Sequence, residues 1–361
     1  EAWKSVAEGE HRPSIAEAIL RRVELELLSK KIKTKEAIEE LERVRYSWRG
    51  GDLELELLWK LGRYYFAVED YRNGLRTLRS AGSQFGGHPN APKIAEDMSN
   101  AFVSLYLKDA ADSMSAVKAI ALFEEFRELT PTGEQGDIMI QKLADRLAQV
   151  DLLDKAAKLL TQQVDFRLKG LEKARVGARL ATIRLINKQP ALALEAITST
   201  DEKDIPPYLE DQRRLLLARS LIDQGMENKA LEILDTDNSL FADLLRAEIY
   251  WKAQAWPQTS RTFKRLLQAI GAKPNQKLNR RQALYVINHA VAMALGGDER
   301  GTARIIREYG PAMDKTGFKD AFRLIASNDA TGLIDFRSVA NKVKIASNFT
   351  KFMSSIESSP K

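Results

Sequence analysis

The sequence contains no cysteine. Disulfides, thiol nucleophiles and cysteine-ligated metals are therefore excluded. Histidine is almost as scarce: His11, His88 and His289 lie far apart, lack the spacing of a metal site and read as surface or interhelix polar contacts. No run of eighteen apolar residues occurs and no apolar signal segment opens the chain, so no membrane-spanning helix is read from it. Aromatic residues make up only 7%, and long alternating β-branched runs are missing. Alanine and leucine are abundant instead, which points to an all-helical protein. The first residue is Glu1 rather than Met, which reads as an excised piece or a mature form of something longer.

Signatures of catalysis are missing too. No Gly-x-Ser-x-Gly elbow is present. The glycine-rich stretches 133–136 and 296–301 do not end in Lys-Ser or Lys-Thr and follow no buried strand, so both read as helix-hairpin corners. Carboxylate pairs such as Glu39-Glu40 and Glu124-Glu125 read as exposed helix charges. No catalytic, cofactor-binding or metal-binding residue is expected, and an enzyme is disfavoured.

The 361 residues suit two or three ordinary domains or one solenoid. The net charge of +6 is unevenly spread. Residues 256–361 hold 18 Lys and Arg against 8 Asp and Glu, while the rest hold 38 against 42. A basic end on a nearly neutral body suits an acidic protein, an anionic membrane surface or nucleic acid, or is a solvated face. The run Arg261, Lys264, Arg265, Lys273, Lys277, Arg280 and Arg281 carries most of this feature. Its nearest aromatics, Phe263 and Tyr285, fall on core positions, which disfavours nucleic acid and leaves an acidic partner or anionic lipid headgroups.

Apolar spacing then organises the chain. In residues 59–89, Leu61, Gly62, Tyr65 and Phe66 share one helix face, Asp70 and Tyr71 make a corner, and Gly74, Leu75, Leu78 and Ala81 form the inner stripe of a second helix. Gly62 and Gly74 would let the two backbones approach closely. Similar pairs follow. Ser14 is placed to cap a first helix, and Thr34 starts its partner with Ala37, Ile38, Leu41 and Val44 inside. Later pairs centre on Phe102 and Phe123, on Ala144 and Ala156, on Ala181 and Ala193, on Ala218 and Ala230, and on Ala247 and Thr259. Residues 271–281 read as a linker, helices resume over 282–295 and 302–309, and short and long helices are predicted over 318–326 and 336–356.

The offsets in residues 59–89 resemble those of the tetratricopeptide repeat, a two-helix unit of thirty-four residues. Leu61-Gly62, Tyr65, Asp70-Tyr71, Gly74, Leu78 and Ala81 stand at the matching places, with Gly86 where the family has its terminal Pro. The resemblance spans residues 14–309 and is loose in most hairpins. It implies an all-α fold: an α-solenoid of antiparallel hairpins, preceded by a polar entry segment over 1–13 and closed by capping helices over 310–361. It also implies a non-enzymatic scaffold that binds a protein or peptide in a concave groove lined by first helices. By offset, Trp59, Arg63 and Phe66 would face that groove, as would Arg219 and Ile222, and Leu244, Glu248 and Trp251. Trp59 and Arg63 stand where the chaperone-binding branch keeps part of its Lys and Asn set, which disfavours a carboxylate clamp. The wandering repeat period has the look of a bacterial array, one domain of a longer protein. The lack of cysteine favours the cell envelope or periplasm over the cytoplasm.

Overall fold

The computed structural model describes residues 12–108, 114–274 and 276–326, together with Trp3 and Ala7. All regular structure among them is helical. The first eight helices are α1 (Arg12–Leu28), α2 (Thr34–Ser47), α3 (Gly51–Ala67), α4 (Tyr71–Gln84), α5 (Ala91–Leu107), α6 (Ala116–Glu125), α7 (Glu134–Gln149) and α8 (Leu153–Phe166). A short 3-10 turn, Arg127–Leu129, follows α6. Then come α9 (Gly170–Ile186), α10 (Pro190–Ser199), α11 (Pro207–Asp223), α12 (Glu227–Leu234), α13 (Leu240–Lys252) and α14 (Trp256–Ala269). The last are α15 (Arg280–Leu295), α16 (Glu299–Met313) and α17 (Lys319–Ala326).

The chain divides into two compact units, Glu1–Gln163 and Val164–Lys361. Within each, helices pack on their neighbours in sequence. In the first unit α1 packs on α2, α2 on α3, α3 on α4 and α4 on α5. In the second the succession runs unbroken from α9 to α17. Helices two apart also touch there, α9 with α11 and α11 with α13. Over α1–α4 and α9–α16 each odd-numbered helix packs on the even-numbered one after it, as first and second members of a hairpin.

Seven of the helix-to-helix corners among the described residues are built in the same way. In the first unit Lys30, Glu69 and Asp151 hold positive φ at the ends of α1, α3 and α7; in the second, Lys188, Gly225, Gln254 and Gly297 do so after α9, α11, α13 and α15. The N–H that follows each reaches back five residues, as in Asp70 N to Tyr65 O at 2.9 Å, Leu152 N to Leu147 O at 2.8 Å and Ala255 N to Tyr250 O at 2.8 Å. This is the Schellman arrangement, which satisfies the last carbonyls of a helix and reverses the chain. Local capping starts several helices, first and second members alike. Asp70 accepts from Asn73 N at 3.3 Å, Ser239 from Ala242 N at 3.1 Å and Asp298 from Gly301 N at 2.9 Å. At α15, Asn279 and Gln282 cap each other's backbone reciprocally.

Apolar stripes fill the space between paired helices. Leu20, Val23, Ala37, Ile38, Leu41 and Leu61 form one core, and a larger one gathers Phe263, Leu266, Ala283, Tyr285, Val286, Ile305 and Met313. The close approach of α3 and α4 is real. A Cβ on Gly74 would stand 2.5 Å from the Phe66 ring and 3.0 Å from the Gly62 carbonyl, and one on Gly62 would strike Leu78.

Buried arginines tie some hairpins to the next. Arg213 of α11 is 4% exposed and donates to Ile197 O at 2.7 Å, Thr200 O at 2.9 Å, Ala174 O at 2.7 Å and Thr200 Oγ1 at 3.2 Å. It thereby closes the C-terminal end of α10. Arg246 of α13 does the same for α12, donating to Leu234 O, to Asp237 O at 2.7 Å and to Asp243 Oδ1 at 2.8 Å. Gln282 of α15 repeats the theme on Ile270 O at 3.2 Å, at the end of α14.

Three sequence expectations change. Ser14 lies inside α1, because Pro13 is tolerated in a first turn and the helix begins at Arg12. Residues 271–281 do not form a free linker: Leu278 is buried and the Tyr309 hydroxyl donates to Ala272 O at 3.2 Å. His289, expected at a surface or in a polar contact, is 6% exposed, and neither ring nitrogen has a hydrogen-bond partner. The helix predicted over 336–356 lies outside the described residues, as does most of the entry segment.

Candidate partner-binding surface

In the first unit, the outer face of the first helices carries a chain of paired charges. Arg21 of α1 donates twice to Glu56 of α3, at 2.6 and 2.8 Å, and Lys60 of α3 pairs with Glu24 of α1 and with Glu56 at 3.3 Å. The Glu56 hydrogen bond holds the Arg21 guanidinium above its ordinary range. Burial, and then the positive charges of Arg21 and Arg63, lower the Lys60 ammonium. The same face continues to α5, where Trp59 Nε1 donates to Asp97 Oδ2 at 2.7 Å. Arg63 Nε lies 3.8 Å from that oxygen with 65% of its side chain exposed. An indole edge and a free-standing guanidinium thus converge on one carboxylate at the surface. Phe66 is used differently. Its half-buried ring stacks on Tyr71 with centroids 6.1 Å apart and covers Gly74, so part of it packs the corner.

In the second unit, Arg219 of α11 donates to Glu248 of α13 at 2.6 Å and also to Asp223. Burial works against this cation, yet the two carboxylates outweigh it and hold the guanidinium above its ordinary range. Ile222 and Leu244 are 4% and 8% exposed and belong to the core, which corrects their assignment to a groove. Trp251 is half-buried; its ring meets Trp256 edge-on at 5.6 Å and Phe263 at 6.1 Å. Of the residues placed on first helices by offset, Trp59, Arg63, Arg219, Glu248 and parts of Phe66 and Trp251 remain at surfaces. Sequence offsets missed Asp97, Glu56 and Arg21, whose partners lie 35 to 38 residues away.

The basic run also divides. Arg261, Lys264, Lys273, Lys277 and Arg280 are exposed. Arg265 is not a free cation, because it donates to both oxygens of Asp243 at 2.9 and 2.6 Å. Arg281 lies over the Tyr285 ring, 5.6 Å from its centroid, and donates to its hydroxyl at 3.1 Å.

Among the described residues, no group of three or more acidic or histidine side chains is arranged to hold a metal ion. No helix among them is long and apolar enough to cross a membrane. His88 lies 3.5 Å from Asp52, and its Nδ1 accepts from Asn90 N at 3.1 Å, which fixes a loop against the start of α3. An open cavity of 520 Å³ lies beside α1, lined by Trp3, Leu25, Leu28 and Tyr64 among others. The chain matches no protein-family model and no curated protein.

Proposed function

We propose that this chain is a non-enzymatic scaffold, a tetratricopeptide-like α-solenoid that binds a polypeptide on its first helices. The repeated corner geometry and the contacts of α9 with α11 and α11 with α13 support a stack of like hairpins. One observation carries the binding reading: Trp59 and Arg63 stand together over Asp97, half-buried and exposed respectively, on an outer helix face. Trp and Arg are the side chains most enriched among binding hot spots, since each joins large contact area to directional donors. The charges beside them, Arg21 with Glu56 and Lys60 with Glu24, are already paired across helices, an arrangement that fixes a surface and suits binding rather than proton transfer.

A photocrosslinking residue at Arg63 tests this reading, with the same residue at Lys118 on the exposed face of α6 as the comparison. A discrete polypeptide adduct at position 63 that is lost on adding Trp59→Ala is the expected result. Equal labelling from both positions, or an adduct indifferent to Trp59, would refute it.

A further inference from the structure

Two second helices of the second unit carry stripes of exposed cations for which no ion pair is formed among the described residues. On α14 these are Arg261 and Lys264; on α16 they are Arg300, Arg304 and Arg307, and all five are exposed. At 100° per residue, Arg300, Arg304 and Arg307 fall within about 60° of one another, and so do Arg261 and Lys264. Helix α15 packs against both α14 and α16. The Cβ of Trp256, at the start of α14, lies 3.0 Å from where a Cβ on Gly296, at the end of α15, would stand. The buried ring of His289 in α15 feels the charges of both Lys264 and Arg304, so both stripes reach the same helix.

We propose that α14 and α16 together present one basic face that docks an acidic polypeptide segment, its carboxylates held by Arg261, Lys264, Arg300, Arg304 and Arg307. Glu308 flanks the stripe on α16 and leaves the face strongly positive. Arginine dominates it, and a planar guanidinium matches a carboxylate in a two-point fork. Nearby arginines already use that fork: Arg323 grips both oxygens of Asp314 at 2.9 Å, as Arg265 grips Asp243. A lipid surface would call for an apolar group to insert, and a nucleic-acid strand for an exposed ring to stack on. On the two stripes Phe263 and Tyr309 are buried and Trp256 and Ile306 half-buried, so the five exposed cations dominate what the face presents. This face lies on second helices and stands independently of the first-helix reading.

The test is the anisotropy of a fluorescein-labelled oligoglutamate peptide titrated with the full chain. Lys264→Glu and Arg304→Glu are each expected to weaken binding roughly tenfold, while Lys229→Glu, the same charge change on exposed α12, leaves it within about twofold. Binding should also fall as salt rises, with screening at the Debye length. Equal loss from Lys229→Glu would reduce the effect to net charge and overturn the proposal. So would binding indifferent to Lys264 and Arg304. Phosphatidylglycerol vesicles or a single-stranded oligonucleotide that bind more tightly than the peptide at 0.15 M salt, and are released by the same two substitutions, would overturn it in favour of that ligand.

Discussion

Replacing Arg213 with methionine should destabilise the second unit more than any surface substitution. The guanidinium makes four hydrogen bonds, three of them to main-chain carbonyls, in a site where the residue is 4% exposed. Burial lowers its pKa, with Asp201 and Glu202 pulling the other way, so the site holds a charge it would otherwise resist. Methionine keeps the aliphatic bulk and strands the carbonyls of Ile197 and Thr200 at the end of α10. Breaking one side of a buried polar network costs about 3–5 kcal/mol. For a unit of this size that corresponds to a fall of about 6–20 °C in midpoint. Arg213→Lys should recover only part of the loss, since an ammonium cannot reach four acceptors spread over α9 and α10. Thermal and urea unfolding followed by circular dichroism would measure this, with exposed Arg300→Met as the reference. A loss for Arg213→Met within about 1 kcal/mol of that reference would refute the assignment of Arg213 as the tie between hairpins.

The other predictions are simpler. Gly74→Ala should destabilise by about 1–3 kcal/mol despite alanine's better helix propensity, because its Cβ meets the Phe66 ring and the Gly62 carbonyl; urea midpoints as high as wild type would count against the close approach. Gly225→Lys, at φ 76°, should cost about 1 kcal/mol, whereas Lys188→Gly at φ 57° should be neutral or stabilising, and matching losses would contradict the shared corner geometry. Burial of His289 lowers its pKa to about 4, with Lys264 and Arg304 adding to the shift and Asp298 opposing it. The unfolded chain therefore binds the extra proton between about pH 6.5 and 4, and stability should fall across that window by as much as about 3 kcal/mol. His289→Leu should flatten that part of the urea-midpoint profile, and an unchanged slope would place the titration elsewhere.

How legible these features were depended on how far apart the interacting residues lie. Ala37, Ile38, Leu41 and Val44 were readable as the inner stripe of α2, and all four are buried. The helix begins at Thr34, where the sequence placed its start, with Lys33 at the N-cap. Gly74, Leu75, Leu78 and Ala81 were equally plain in α4. The surface was harder. Offsets placed Ile222 and Leu244 on an open face, yet helices on both sides cover them, because a first helix in the middle of a succession is buried over a wide arc. Offsets placed Phe66 on the same kind of face and did not show that one edge of its ring fills the space that glycine leaves on α4.

The sequence by itself determined that the chain is helical, where its hairpins turn and which stripe of each helix points inward. Those are local properties, set by a 3.6-residue period and by a few residues at each end. Only the tertiary structure decided which polar groups are spoken for. Arg265 looks as free as Lys264 in the sequence, and Arg213 looks like any surface arginine. Their fates depend on Asp243 and on groups of α9 and the end of α10, which lie 13 to 39 residues away. No period in the chain encodes such distances; they follow from how one hairpin docks on the next.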